Sequence, residues 1–210
     1  MSELWTRYFN AAGDDPRPTL LAALEHFAAE PSDHERLAVD LGCGTGRDTF
    51  ELLRRGWRVL AIDAQEEAIR RLRRKDAPLV SSGRLETQVA DFESARWPTA
   101  ELVNASYALP FCPPESFPGL WERITMSLPS GGRFSGQLFG DRDEWASVPH
   151  TSTAEWTPPR NAMTFLTRSE VEDLLGDYAI EELIEIDEEG PTATGRVKHW
   201  HLFHIVARQR

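Results

Sequence analysis

A chain of 210 residues with 34 acidic against 23 basic side chains carries a net charge of −11. Nucleic acid and anionic membrane are therefore not expected as its main partners, because either needs a basic surface. An apolar content of 40% suits a globular protein with one core. Cys43 and Cys112 are the two cysteines, too few for a disulfide scaffold. The N-terminus lacks the basic and apolar regions of a leader, and no stretch is apolar enough to span a bilayer, so a cytoplasmic protein is expected.

In chain order, Trp5, Tyr8 and Phe9 precede a Gly13-Asp14-Asp15-Pro16 turn. A helix is predicted from Pro16 or Pro18 to Ala29, with Leu20, Leu21, Leu24, Phe27 and Ala28 on one face. The aromatic segment either packs on that helix or closes over a site as a lid. Leu37–Leu41 reads as a strand buried on both faces. Glycines at 42, 44 and 46 follow, then Phe50, Leu52 and Leu53 at helical spacing, with Gly56 just past the helix end. A second apolar run, Trp57 to Ile62, ends in Asp63. Glycines let a backbone approach a ligand closely, and the helix start offers free N–H groups. A carboxylate ending the neighbouring strand can accept both hydroxyls of a ribose, so this half of the chain is expected to bind a nucleoside. The dinucleotide fingerprint would need a glycine where Arg47 stands, and no Gly-Lys-Ser/Thr phosphate loop is present.

Glu66 to Lys75 reads as a solvated amphipathic helix with Glu66–Arg70 and Glu67–Arg71 pairs. Leu85 to Ala90 alternates like an exposed edge strand and leads into Asp91 and Phe92. Glu101 to Tyr107 is a fourth strand and its exit, where Asn104, Ser106 and Tyr107 face the crevice used for ligands in open α/β sheets. A helix opens near Phe111–Glu115 and runs to about Leu128. The periodicity stops between Asp141 and Thr164, a stretch holding Trp145, His150 and Trp156. Thr167 and Glu170 stand in capping-box register. Ala179–Ile186 is a roughly alternating strand, Gly190-Pro191 a turn, and Lys198–Ala207 the last strand. His199, His201 and His204 invite a metal reading, but no third ligand stands at motif spacing. Packed, hydrogen-bonded histidines and no metal are expected.

Asp40-x-Gly42-x-Gly44-x-Gly46 resembles motif I of the class I S-adenosylmethionine-dependent methyltransferases. The Gly46-Arg47-Asp48 ending resembles the tellurite-resistance and small-molecule members, and Leu128-Pro129-Ser130-Gly131-Gly132 resembles the turn before their fifth strand. The resemblance implies an α/β fold: a Rossmann-like, seven-stranded, mostly parallel sheet with the last strand antiparallel and helices on both faces. It implies one domain over 1–210, made of an N-terminal lid and helix (1–30), a cofactor core (35–140), a substrate-side insertion (141–164) and a C-terminal helix with two strands (165–210). S-adenosylmethionine, leaving as S-adenosylhomocysteine, would be held by Asp40, Gly42, Cys43, Gly44, Thr45, Gly46, Arg47, Asp63, Ala64, Asp91, Phe92, Asn104, Ala105, Tyr107 and Tyr8. Asp91 and Phe92 would meet the adenine. Trp5, Trp145, His150 and Trp156 would face the substrate.

No residue is required by the sequence to be a catalytic base, and Tyr107 and His150 are the candidates. The Pro-Pro pair of amino-methylating relatives is absent after Asn104, so a nucleobase or protein amide acceptor is disfavoured. The expected partner is a small molecule whose S, O, N or chalcogen atom takes the methyl group, handled by a monomer or homodimer. A non-catalytic adenosylmethionine-binding protein and a nicotinamide-dependent oxidoreductase stay open, the latter opposed by the glycine spacing.

Overall fold

The structure is a computed structural model describing residues 3–30, 32–147 and 163–210. Five strands, β1 (Leu37–Leu41), β2 (Arg58–Asp63), β3 (Leu85–Val89), β4 (Leu102–Ala105) and β5 (Arg133–Gly140), run parallel. Residues Phe165–Leu166 (β6) pair with the end of β5, and β7 (Tyr178–Pro191) with β8 (Val197–Gln209) forms a closing hairpin. The main order is β3-β2-β1-β4-β5-β8-β7, with β8 antiparallel to both neighbours. This is the expected seven-stranded arrangement plus β6, whose two residues are too short to show any periodicity.

Helices α1 (Glu3–Ala11), α2 (Pro18–Ala28), α3 (Arg47–Arg54), α4 (Glu66–Lys75), α5 (Ala77–Val80), α6 (Phe117–Ser127), α7 (Glu144–Ser147) and α8 (Arg168–Leu174) surround the sheet. Successive strand residues point to opposite faces, so each buried strand feeds two cores. Ala38, Val59, Ala61 and Val206 pack with α2, α3 and α4. Val39, Val103, Phe134, Phe203 and Ile205 pack with α6 and α8 on the other side.

Three local expectations change. Glu67 takes both arginines of its helix face, Arg70 and Arg71, so the Glu66–Arg70 pair is not formed. A 3₁₀ turn at Leu109–Phe111 precedes α6, which therefore starts later than read. The last two strands are longer than read: Gly190 and Pro191 still pair with Lys198 and Val197, and the turn is displaced to Thr192–Arg196. The Thr167–Glu170 capping box is formed in both directions.

A candidate cofactor and acceptor site

The turn after β1 is tied to β2 by the N–H groups of Gly42 and Cys43, which both donate to the Ile62 carbonyl at 2.8 and 3.0 Å. Gly42 has φ +69°, and a Cβ there would lie 2.4 Å from that of Ala108. Gly44, by contrast, would place a Cβ 3.8 Å from the Phe9 ring and nearer to nothing else. The glycine at 42 thus serves packing, while the one at 44 keeps the cavity side clear. Asp63 Oδ2 accepts from Gly44 N–H at 2.9 Å and Oδ1 from Gln65 N–H at 2.7 Å. Each carboxylate oxygen keeps a further lone pair for a ligand. Burial pushes the Asp63 pKa up, and the two N–H groups pull it back down.

Beneath the turn lies a fully buried polar cluster. Asn104 Nδ2 bridges Asp40 Oδ1 (2.9 Å) and Asp48 Oδ2 (3.1 Å), Thr49 Oγ1 donates to Asp40 Oδ2 (2.6 Å), and Ser135 Oγ donates to Asn104 Oδ1 (2.8 Å). Burial, reinforced by the charge of Asp48, raises the Asp40 pKa well above the usual carboxylate range. Asp40 and Asn104 are spent inside the protein, supporting the turn from below. Arg17 N–H joins the same cluster through Asp48 Oδ1 at 2.8 Å, which fixes where α2 begins.

Above the turn a single cavity of about 1310 Å³ opens at the carboxyl ends of the strands. That exceeds the roughly 300–1,000 Å³ of a typical small-molecule site, so it has room for two ligands side by side. One end is lined by Gly42, Gly44, Arg47, Asp63, Ala64, Asp91 and Phe92. Asp91 is exposed there, with Oδ1 accepting from Ser94 N–H and Oγ–H at 2.8 and 2.6 Å. Trp5 and Tyr8 of α1 also line the cavity, and the Trp5 ring sits 5.3 Å from that of Phe111.

The other end is aromatic: Tyr107, Phe111, Phe139, Trp145 and Trp200. Tyr107 is the one described non-glycine residue with positive φ, +54°, a conformation costing about 1–3 kcal/mol that persists only where the surroundings enforce it. Here its N–H donates to Gln137 Oε1 at 2.8 Å, and Gln137 is in turn held by Thr19. The Arg17 guanidinium stacks 4.5 Å above the Tyr107 ring. Trp145 and Trp200 flank the fully buried Lys198, which pairs with the equally buried Asp143.

The sequence-predicted residues therefore divide. Gly42, Gly44, Arg47, Asp63, Ala64, Asp91, Phe92, Tyr107, Tyr8, Trp5 and Trp145 come together around the cavity. Asp40, Cys43, Thr45, Gly46, Asn104 and Ala105 are not among its lining residues. Cys43 packs in the core, where burial pushes its thiol pKa far up. His150 and Trp156 lie outside the described residues. Sequence reasoning missed Arg17, Phe139, Trp200 and His204 as lining residues. For β8 a signal was available: positions 200, 202 and 204 share one strand face by their period of two.

That period also separates the histidines. His199 and His201 share the face away from the cavity. There Arg142 N–H donates to His201 Nδ1 at 3.0 Å, leaving Nε2–H to donate to Glu185 at 2.9 Å, and His199 pairs with Asp187 at 2.8 Å. Glu185, Asp187 and His201 gather ligand-capable atoms, but the Arg142 guanidinium supplies their counter-charge, 2.8 Å from each carboxylate. His204 departs from the expected hydrogen-bonded role. It faces the cavity, edge-on to Tyr107 with ring centroids 6.5 Å apart. Burial, then the nearby Arg17 charge, lowers its pKa.

Comparison with known proteins agrees with this geometry. Residues 38–132 match a family model described as a methyltransferase domain. A carboxy-S-adenosyl-L-methionine synthase of Shewanella amazonensis is 33% identical over 97 residues, which is 44% of this chain and 40% of the relative's length. Among solved structures, TehB of Haemophilus influenzae superposes with a TM-score of 0.68 at 19% identity, over 90% of this chain and 61% of that one. A 1,6-didemethyltoxoflavin-N1-methyltransferase of Burkholderia thailandensis gives 0.64 at 18% identity, over 92% of this chain and 77% of that one. Residues 38–132 are thus similar to the methyltransferase-domain family, and the chain has the Rossmann-like fold of the class I S-adenosylmethionine-dependent methyltransferases.

Proposed function

We propose that the protein is an S-adenosylmethionine-dependent methyltransferase acting on a small molecule. The observation that carries this reading is the continuity of one cavity from the Gly44–Asp63 end to the aromatic end. The residues present fit the cofactor. Gly44 leaves open the space a Cβ would fill, Asp63 keeps acceptor capacity beside it, and Asp91 and Phe92 stand further along the same wall. When bound, the cofactor supplies a methyl group already activated by the positive charge on sulfur. The chain's own work is alignment of the acceptor and exclusion of water. Asp63 would orient the ribose, Arg47 the charged end, and the α1 aromatics would cover the cleft.

A small, flat acceptor suits walls made of Tyr107, Phe139 and Trp200. The Burkholderia protein, by its name, methylates 1,6-didemethyltoxoflavin at N1, which supports a small-molecule acceptor here without naming its acceptor atom. Calorimetry should detect S-adenosylhomocysteine binding, and a screen with labelled S-adenosylmethionine against thiols, chalcogen oxyanions, amines and hydroxyls should give turnover. Binding without turnover on any acceptor would favour a non-catalytic adenosylmethionine-binding protein. Absence of binding would end both readings.

A further inference from the structure

We infer that the acceptor is a planar aromatic acid bearing a hydroxyl, its acid group held by Arg17 and its hydroxyl proton taken by His204. The inference rests on the methyltransferase reading above and extends it to the acceptor end of the cavity. Among the described residues, His26, His34, His199 and His201 each have a carboxylate partner. The His204 ring has no hydrogen-bond partner among them, and it lines the cavity. Its ring nitrogens are therefore open to a ligand that enters the cavity.

The Arg17 side chain has the same character. Its guanidinium lies on the Tyr107 ring and forms no ion pair with any described residue, although the chain has 34 carboxylates to offer. A cation on one aromatic face within a box of aromatic walls fits a flat anion. His204 is flanked by Gln137 on β5 and Ile184 on β7, neither charged, and is faced by Arg17 and Tyr107. Among the described residues no neighbouring acid competes for its proton.

A thiolate or an oxyanion needs no base, so an unspent imidazole points to a protic acceptor. In the transfer, the acceptor oxygen bonds to the methyl carbon and the carbon–sulfur bond breaks with its electron pair going to sulfur. The hydroxyl proton passes to the neutral ring of His204 and from there to water. An anion on Arg17 offsets the charge that opposes protonation of His204, so substrate binding itself makes the base stronger.

The test uses the full chain, labelled S-adenosylmethionine, and a panel of hydroxybenzoates and hydroxycinnamates with their methyl esters and mercaptobenzoate counterparts. The wild-type protein should methylate at least one hydroxy acid in preference to its ester. His204→Gln should lower kcat on that hydroxy acid by about 100-fold or more, and by much less on the mercapto acid, whose thiolate forms in water. Arg17→Gln should raise KM for the acid but not the ester. It should also weaken calorimetric binding of the acid to the S-adenosylhomocysteine-loaded protein. Equal losses on hydroxyl and thiol acceptors in His204→Gln, or equal use of acid and ester by the wild type, would overturn the inference. So would a wild-type protein that binds S-adenosylhomocysteine yet methylates nothing in the panel, a result that leaves the cofactor reading standing. Failure to bind S-adenosylhomocysteine would instead remove the reading beneath it.

Discussion

Asp63 has two tasks, because each of its oxygens already holds a backbone N–H, from Gly44 or from Gln65. Asp63→Ala is expected to weaken S-adenosylhomocysteine binding by about 1.5–3 kcal/mol, the scale of a hydrogen bond to a charged group. Calorimetry returning wild-type affinity from a folded Asp63→Ala protein would refute the ribose assignment. Asp40 makes a different prediction. Its folded-state pKa lies above the unfolded value near 3.9, so between the two the native state holds a proton that the unfolded chain has released. Its contribution therefore weakens stability as pH rises through that window. Melting temperatures taken from about pH 4 upward should fall more steeply for the wild type than for Asp40→Asn, which keeps the shape without the charge. Parallel profiles would show that Asp40 does not titrate in this way. The buried orientation of Asn104 could not be read from sequence, since a residue near a strand exit can turn inward or outward and only the acids of β1 and α3 decide which.

At the scale of elements, the buried side chain among the described ones of α1 is Phe9. Among the polar ties of the helix is the exposed pair of Arg71 with Asn10, while Lys75 to Asp14 and Arg47 to the Gly13 carbonyl hold the turn that follows it. Exposed pairs of this kind contribute little, and the burial of Phe9 and the contact of Trp5 with Phe111 add apolar anchorage. Deleting residues 1–12 should leave a folded protein with weaker S-adenosylhomocysteine binding and little turnover, as a lid requires. A truncated chain that binds as tightly as the full one would exclude the lid. A large fall in melting temperature without ligand would mark α1 as structural packing instead. The strand–turn–helix unit from Leu37 to Arg54, Asp63 and the edge position of β3 were legible because their signals are local: glycine spacing, a period of two, a capped helix. Arg17 and His204 were not, because what brings them beside Tyr107 is the pairing of β8 with β5 and the anchoring of α2 on Asp48. Neither leaves a mark in the neighbouring sequence.

For the whole molecule, the net charge of −11 contrasts with a cavity lined by four arginines, Arg7, Arg17, Arg47 and Arg196, and four acids, Asp63, Asp91, Glu93 and Glu188. The acidic exterior suits neither nucleic acid nor an anionic membrane, and no helix among the described residues is long and apolar enough to cross a bilayer. The cavity is thus balanced in formal charge, with Arg17 the arginine stacked at its aromatic end. Ligands that fill it should raise global stability by mass action, by about 2.7 kcal/mol at a hundredfold excess over Kd. In a thermal-shift panel at equal concentrations, S-adenosylhomocysteine should stabilise the protein more than NAD. The reverse order would restore the oxidoreductase reading that the absence of a glycine at 47 opposes.

The closing hairpin has a parity. Trp200, Leu202 and His204 look into the cavity only because β8 keeps its present phase against β5, and Lys198, shut away with Asp143 at the start of the strand, fixes that phase. Adding or removing one residue between Arg196 and Trp200 would not merely lengthen or trim a loop. It would exchange the two faces of the strand beyond it, bringing the ion-paired histidines inward and turning the lone one out. The hairpin is thus free to change length in steps of two, and a single-residue insertion there would be as damaging to the acceptor end as loss of the side chains themselves.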